Sequence, residues 1–286
     1  MKKFIFLILL AVIITSCKSY ETTNKSFDSS KDIVILYSFI TPDIGNNKDD
    51  IYSRIKDAKE SMLKETPNVT LVEAGNNLFL DKMNDTGYDY ACFGVNVINN
   101  SLDSIYENTK KAKYKYLLCS ASYSGQIKDV FKKTTPYEVV NYDGIKIGYV
   151  GVLSPLILEK QLLYFTDGSE KSINLYNETE EVFYDTVQCS IDKAKTKGAD
   201  YIILLSHFDE DPNYSPYTLE ELVANLSNVD IVLNENLFFT NKEYVLKDKN
   251  NKETLIISND NKSSRFGKVT IKNGIYENEI IEEFDE

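Results

Sequence analysis

The chain has 286 residues, 42% of them hydrophobic and 27% charged, a balance that supports a packed globular domain and excludes wholesale disorder. Lys and Arg number 32 against 44 Asp and Glu, for a net charge of -12, so the basic surface behind most nucleic-acid affinity is missing and no nucleic-acid partner is expected. The chain contains one histidine, His207, which excludes chemistry that needs a cluster of imidazoles.

Met1, Lys2 and Lys3 precede an unbroken apolar run from Phe4 to Ile14, followed by Thr15, Ser16 and Cys17. The run is too short for a bilayer, which takes about 20 helical residues. A short basic start and a small-residue exit complete the pattern of a secretory signal. The ending Ile14-Thr15-Ser16-Cys17 resembles a bacterial lipobox, which implies cleavage before Cys17, a lipid on that cysteine and a membrane as partner through the lipid. Lys18 follows where Asp would hold a lipoprotein at the inner membrane. By resemblance to the sorting rule of double-membraned bacteria, this implies an outer-membrane location in the cell envelope, on either its periplasmic or its surface face. Residues 1–16 are thus expected to be a signal peptide and 17–32, rich in Ser, Thr, Asn and Lys, a flexible tether. Residues 33–286 are expected to form one domain.

The apolar run Ile33–Phe39 predicts a strand covered on both faces. Asp49 to Glu65 has a helical repeat, with Ile51, Ile55, Ala58 and Met62 on one face and Pro67 beyond its end. Short strands are expected at Val69–Glu73, Asp89–Phe93 and Tyr116–Ser120, and a helix at Ser101–Ala112. Tyr137–Tyr142 and Ile145–Val152 flank Asp143-Gly144, a hairpin turn signal. Phe183, Val187, Ile191 and Ala194 mark a helix face that Gly198 should close. Tyr201–Leu205 then reads as a strand running into Ser206-His207, and Val229–Leu233 as another. Tyr244–Lys247, Thr254–Ser258, Lys268–Ile271 and Ile275–Ile281 read as hairpins. Strands alternating with helices and then hairpins predict an α/β domain with a mixed sheet. Cys92, Cys119 and Cys189 read as buried thiols in preference to one disulfide with one free thiol, and lie too far apart in sequence for a zinc site.

Two stretches carry a family resemblance. Pro136 to Pro155 is similar to a hairpin leading into a Gly-Val strand end, and Lys195 to His207 to a helix, strand and Ser-His motif, of the 5′-nucleotidase type of calcineurin-like metallophosphoesterase. Thr86 to Gly94 and Val229 to Leu233 match weaker landmarks in the same order. The resemblance implies a four-layer α/β/β/α sandwich with mixed sheets and with metal ligands on loops at one edge of the strands. It also implies that the nucleoside-binding C-terminal domain of two-domain 5′-nucleotidases is not part of this sequence.

That family's reaction uses two metal ions about 3.5–4 Å apart, sharing a carboxylate and holding a hydroxide for in-line attack on phosphorus. By resemblance the ligands come from Asp-x-His, Gly-Asp, Gly-Asn-His, Ser-His and Gly-His-x-His. The first motif falls on Thr41 to Asn46, with Asp43 kept and Gly45 in place of the imidazole. The second falls on Gly75-Asn76, so the bridging Asp has become Asn76, and the third on Gly94 to Val97, where Asn96 has no following His. The fourth is intact at Ser206-His207, and the fifth, Asn234-Glu235-Asn236, has no His. An amide has no charge to spread over two cations and its nitrogen cannot ligate.

The residual metal candidates are therefore Asp43, Asn76, Asn96, His207 and Glu235, with no catalytic residue assigned. Each has a plainer reading. His207 can be a hydrogen-bonded strand-end residue, Asp43 the Asp of a Pro-Asp turn, and Asn76, Asn96 and Asn234 turn residues that tolerate left-handed backbone. The resulting expectation is a lipid-anchored, catalytically inactive relative of the phosphoesterases, without cofactor, that works by binding a protein or small molecule or as a structural component. Two alternatives stand beside it: a weak phosphoesterase holding a single Mn, Mg or Zn through Asp43, His207 and Glu235, and a surface protein that uses the fold as a scaffold for exposed loops.

Overall fold

A computed structural model describes residues 32–40, 48–75, 79–92, 109–123, 134–155, 173–175, 179–208, 216–235, 243–258, 263–272 and 274–285. In chain order they form β1 (Ile33–Phe39), α1 (Lys48–Glu65), β2 (Val69–Glu73), α2 (Leu80–Thr86), β3 (Tyr90–Cys92), β4 (Lys115–Leu117), β5 (Ala121–Tyr123) and β6 (Thr134–Thr135). Then come β7 (Tyr137–Tyr142), β8 (Ile145–Leu153), β9 (Ile173–Leu175), α3 (Glu180–Thr196), β10 (Tyr201–His207), α4 (Leu219–Asn225) and β11 (Ile231–Glu235). The chain closes with β12 (Glu243–Lys247), β13 (Glu253–Ser258), β14 (Ser263–Lys272) and β15 (Ile275–Asp285).

Two mixed sheets dominate. The seven-stranded sheet has the order β15-β14-β1-β2-β3-β4-β6 and the six-stranded sheet the order β12-β13-β11-β10-β8-β7. Each buries both faces because successive side chains alternate sides. Along β1, Ile33, Ile35, Tyr37 and Phe39 meet Ile203, Leu205, Ile231 and Leu233 of the other sheet. Val34 and Leu36 point the opposite way, onto Ile51, Tyr52 and Ile55 of α1 and Met83 of α2. On the far side, Val150, Val152, Ile202 and Leu204 pack under Phe183, Val187, Ile191 and Ala194 of α3 and Leu222 of α4. Three cores between four layers give the expected α/β/β/α sandwich.

The expected turn and cap residues take the backbone that motivated them. Asp143 and Gly144 have φ of 50° and 101°, the mirror-image turn that suits a two-residue hairpin, and Gly198 has φ of 90° just beyond α3. Gly151 answers a different need. A Cβ there would overlap the Leu117 carbonyl, so only glycine lets β8 approach β4 of the facing sheet this closely. Part of the tyrosine content fills the space between the sheets without orphaning hydroxyls: Tyr142 bonds Thr70 and also Tyr149 at 2.7 Å, and Tyr149 stacks on Tyr90.

Several expectations change in detail. The short helices α2 and α4 were not expected, although α4 carries a Thr218-x-x-Glu221 capping box. Tyr116–Ser120 is displaced to Lys115–Leu117, and Val229–Leu233 to Ile231–Glu235. The closing strands are not one run of hairpins. β12 and β13 pair within the six-stranded sheet, whereas β14 and β15 pair on the other, β14 lying antiparallel to β1. Most of Ser101–Ala112 lies outside the described residues, as do the signal, Cys17 and the tether. Cys92 and Cys119 are buried thiols, burial pushing the Cys119 thiol up to about 12, but Cys189 is only half-buried on α3. Among the described residues no helix is long and apolar enough to cross a membrane.

Candidate functional site

β10 and β11 lie side by side and parallel, so their C-terminal residues meet in register: Ser206 opposite Asn234, and His207 opposite Glu235. Alternation then decides which way each points. Leu205 and Leu233 face the space between the sheets, and His207 and Glu235, two residues on, face it too. His207 Nδ1 lies 3.0 Å from Glu235 Oε2, and both side chains are buried. With Nδ1–H donating to the carboxylate, the ring is held in one tautomer and presents Nε2 as a lone pair. Nε2 is itself buried and has no hydrogen-bond partner among the described residues.

Asn234 sits one residue earlier, on the opposite face. Its amide oxygen accepts from Ser206 Oγ at 2.8 Å and from the Phe208 N–H at 2.9 Å, and its amide nitrogen donates to the Phe208 carbonyl at 2.9 Å. Two of these bonds fix the Phe208 backbone and the third holds the Ser206 side chain, so one side chain brackets His207 on both sides. This corrects the turn reading of Asn234, which is a fully buried strand residue and is not among the positive-φ residues. An amide suits the task because it donates and accepts at once, which a carboxylate cannot.

The facing sheet brings Gly75 to the same place. An ideal Cβ on Gly75 would lie 2.5 Å from Glu235 Oε2, so the Glu235 carboxylate occupies the space directly over this glycine. Glu73, which the sequence reading passed over, ends β2 two residues earlier. Ser38 Oγ donates to its carboxylate, the Ile40 N–H donates to its other oxygen at 3.3 Å, and Tyr88 OH lies 2.6 Å from Ser38 Oγ. Burial first, and the nearby Glu235 charge after it, raise the Glu73 carboxyl to about 8 against the opposing hydrogen bonds from Ser38 and the backbone. Glu73 shares the α1-facing side of the sheet with Leu71, whereas Ala74 faces the inter-sheet core. The two glutamates therefore approach from opposite faces of the seven-stranded sheet. A signal for Glu73 was available, because an acid closing the apolar strand Val69–Glu73 has no exposed position to take.

Arg265 is a second residue that the sequence reading missed. It pairs with Phe39 across the β1–β14 ladder, is buried, and its guanidinium donates to the carbonyl of Ser258, which lies opposite Asn234 on β13. A fixed positive charge is thus built into the same edge of the sandwich.

The structure brings His207 and Glu235 together. Asp43, Asn76 and Asn96 lie outside the described residues. Two divalent cations would need a crowd of carboxylates and imidazoles. Among the described residues no three His, Cys, Asp or Glu side chains converge to hold a metal. Here Nδ1 of the lone imidazole is engaged by Glu235, and Glu73 is on the wrong face. The described residues by themselves do not make up the donor set of a two-metal centre.

Compared by sequence, the chain matches no protein-family model and no curated protein. Compared by structure, it superposes on the NAD nucleotidase of Haemophilus influenzae with a TM-score of 0.63 at 14% identity, over 88% of this chain and 49% of that one. The 5′-nucleotidase precursor of Thermus thermophilus gives a TM-score of 0.64 at 14% identity, over 87% and 54%. A calcineurin-like phosphoesterase from Bacillus subtilis gives 0.56 at 15% identity, over 90% of both chains. The fold is that of the calcineurin-like metallophosphoesterases. The chain spans about half the length of the first two structures. At these identities the likeness speaks for the phosphoesterase fold and leaves the chemistry to the residues themselves.

Two outcomes test this geometry. Gly75→Ala should destabilise the protein by about 1–3 kcal/mol, and in a Glu235→Ala background most of that cost should vanish. Denaturant titrations of the four proteins check it, and additive effects would contradict the contact. For Glu73, the folded carboxyl titrates near 8, above its ordinary value of 4.5. Its contribution to stability is therefore complete below the unfolded value and lost as pH rises through the folded one. Relative to Glu73→Gln, the native protein should lose stability progressively between these two values, and a difference independent of pH would show that Glu73 is charged at neutrality.

Proposed function

We propose that this chain is a lipid-anchored protein of a bacterial cell envelope whose phosphoesterase-fold domain has lost metal-dependent hydrolysis and works by binding a protein or small molecule, or as a structural component. The observation that carries the proposal is the bond between His207 and Glu235 over Gly75. The lone imidazole of the sequence is paired with a protein carboxylate at the strand ends where the fold family collects its ligands. That pairing gives His207 a hydrogen-bonded place at the strand end with one ring nitrogen satisfied, as the plainer reading expects. The composition argues the same way, since no second histidine exists in the chain to complete a ligand set. The anchor rests on Cys17 and the basic and apolar segment before it, with the outer membrane as its proposed location.

A second reading is favoured by one feature, the buried Nε2 of His207 without a partner among the described residues. A neutral imidazole whose Nδ1–H is held by a carboxylate is the common arrangement of a metal-ligating histidine. In this reading one cation, Mn, Mg or Zn, is held through Nε2, with Asp43 and Glu235 as the other candidate ligands.

The full chain in mild detergent, assayed with a nucleoside 5′-monophosphate and with a bis-aryl phosphodiester in the presence of Mn, should hydrolyse neither faster than its His207→Ala variant. A rate abolished by His207→Ala would establish the second reading in place of the first. Labelling cells with a radioactive fatty acid should mark the chain and leave Cys17→Ser unmarked, and equal labelling would remove the lipid anchor from the account.

A further inference from the structure

The two sheets end on the same side of the molecule, one in β15 and the other in β12, and among the described residues neither strand has an outer neighbour. Outer strands present unpaired N–H and C=O groups, a liability that proteins usually blunt with charge, bulges or short length. Here four of the five large exposed apolar residues of the described chain, Val245, Ile275, Ile280 and Ile281, lie on these two strands. Between them the sheets part into a cleft of about 480 Å³ whose apolar lining is Val245, Leu255 and Tyr276. Its walls carry Glu243, Glu253 and Glu277, with Asn278 donating to Glu243 at 2.7 Å across the opening. Among the described residues no cation lies within ion-pair distance of Glu253 or Glu277.

We infer that this open side is a docking surface for an extended, basic segment of a partner protein, which adds to β15 as a further strand and lays Lys or Arg side chains along the acidic cleft. Backbone pairing to an exposed sheet edge supplies affinity, and side chains on alternate positions supply selection. The segment must alternate. Tyr276, Asn278 and Ile280 share the cleft-facing side of β15, and Ile275, Glu277 and Glu279 the other. Cations on the cleft-facing positions of the segment lay their methylene stems over Tyr276 and reach Glu253, and residues on its other face run beside Ile275 and Glu277. Charge also decides against a second copy of this chain as occupant. Two antiparallel β15 strands would bring Glu277 and Glu279 of each copy together, in a protein of net charge -12. The bulge of β15 opposite Phe266 and Gly267 limits regular pairing to its first part, Ile275 to Ile280.

This surface stands away from His207 and Glu235. Tyr276 pairs with Ile271, which pairs with Ile33 at the start of β1, whereas Ser38 and Phe39 mark the end of β1 nearer the candidate site. The inference deepens the binding role proposed above, and its experiment reads neither metal nor hydrolysis, so the two can fail separately.

The test uses two synthetic peptides, one alternating Lys with Val and one alternating Glu with Val, titrated against the full chain in detergent by fluorescence anisotropy. The Lys-Val peptide should bind, more weakly as salt is raised. It should protect the amides of residues 275–280 from hydrogen exchange, and methylating its alternate backbone nitrogens should abolish binding. Glu253→Lys with Glu277→Lys should weaken binding about tenfold or more, with an unchanged unfolding midpoint as the control. His207→Ala should bind like the native chain. Equal binding of the Glu-Val peptide, protection elsewhere, or full binding by the double variant would overturn the inference. So would self-association that protects residues 275–280 without any peptide.

Discussion

The parallel register of β10 and β11 is the constraint on which the rest of the site depends. Because Ser206 and His207 stand opposite Asn234 and Glu235, one pair is turned toward α3 and α4 and the other toward the facing sheet. The outward pair becomes a clamp, with Asn234 holding the Ser206 hydroxyl and both backbone groups of Phe208 by three hydrogen bonds. The inward pair becomes the buried contact of His207 with Glu235, directly over Gly75. A slip of one residue would exchange these roles and bury the clamp between the sheets.

Charge accounts for what such a site can and cannot do. A two-metal centre brings four positive charges and needs several anionic ligands to make their burial tolerable. This edge instead carries its own buried guanidinium, Arg265, a carboxylate bonded to an imidazole, and a second carboxyl, Glu73, whose burial favours the neutral form. Each has a hydrogen-bond partner within the protein: Arg265 the Ser258 carbonyl, Glu73 the Ser38 hydroxyl and the Ile40 N–H, and Glu235 the imidazole. His207 Nε2 stands apart as the atom that keeps a single-cation reading in contention.

Much of the architecture was legible because it rests on local patterns. Ile33–Phe39, Val69–Glu73 and Tyr137–Tyr142 fall where apolar runs and turn signals place them, and the four apolar residues expected on the face of α3 are buried. The short helices were harder to read, since a seven-residue helix shows less than two full turns of periodicity. At the site, resemblance located His207 and Glu235, but their contact depends on strand register, a property of pairing between distant segments. Asn234 looked like a turn residue because Asn commonly is one; only the cross-strand hydrogen bonds reveal the clamp. Glu73 and Arg265 were passed over because motif reading attends to ligand positions, whereas these two are defined by burial.

The central proposal is that no metal pair is held at these strand ends, where His207 is bonded to Glu235. Metal analysis by mass spectrometry, on the full chain purified from cells grown with added Mn and Zn, tests it most directly. No stoichiometric metal is expected, in the native chain and in His207→Ala alike, with the fold intact by circular dichroism. Two ions per chain, or one ion lost on His207→Ala, would contradict it.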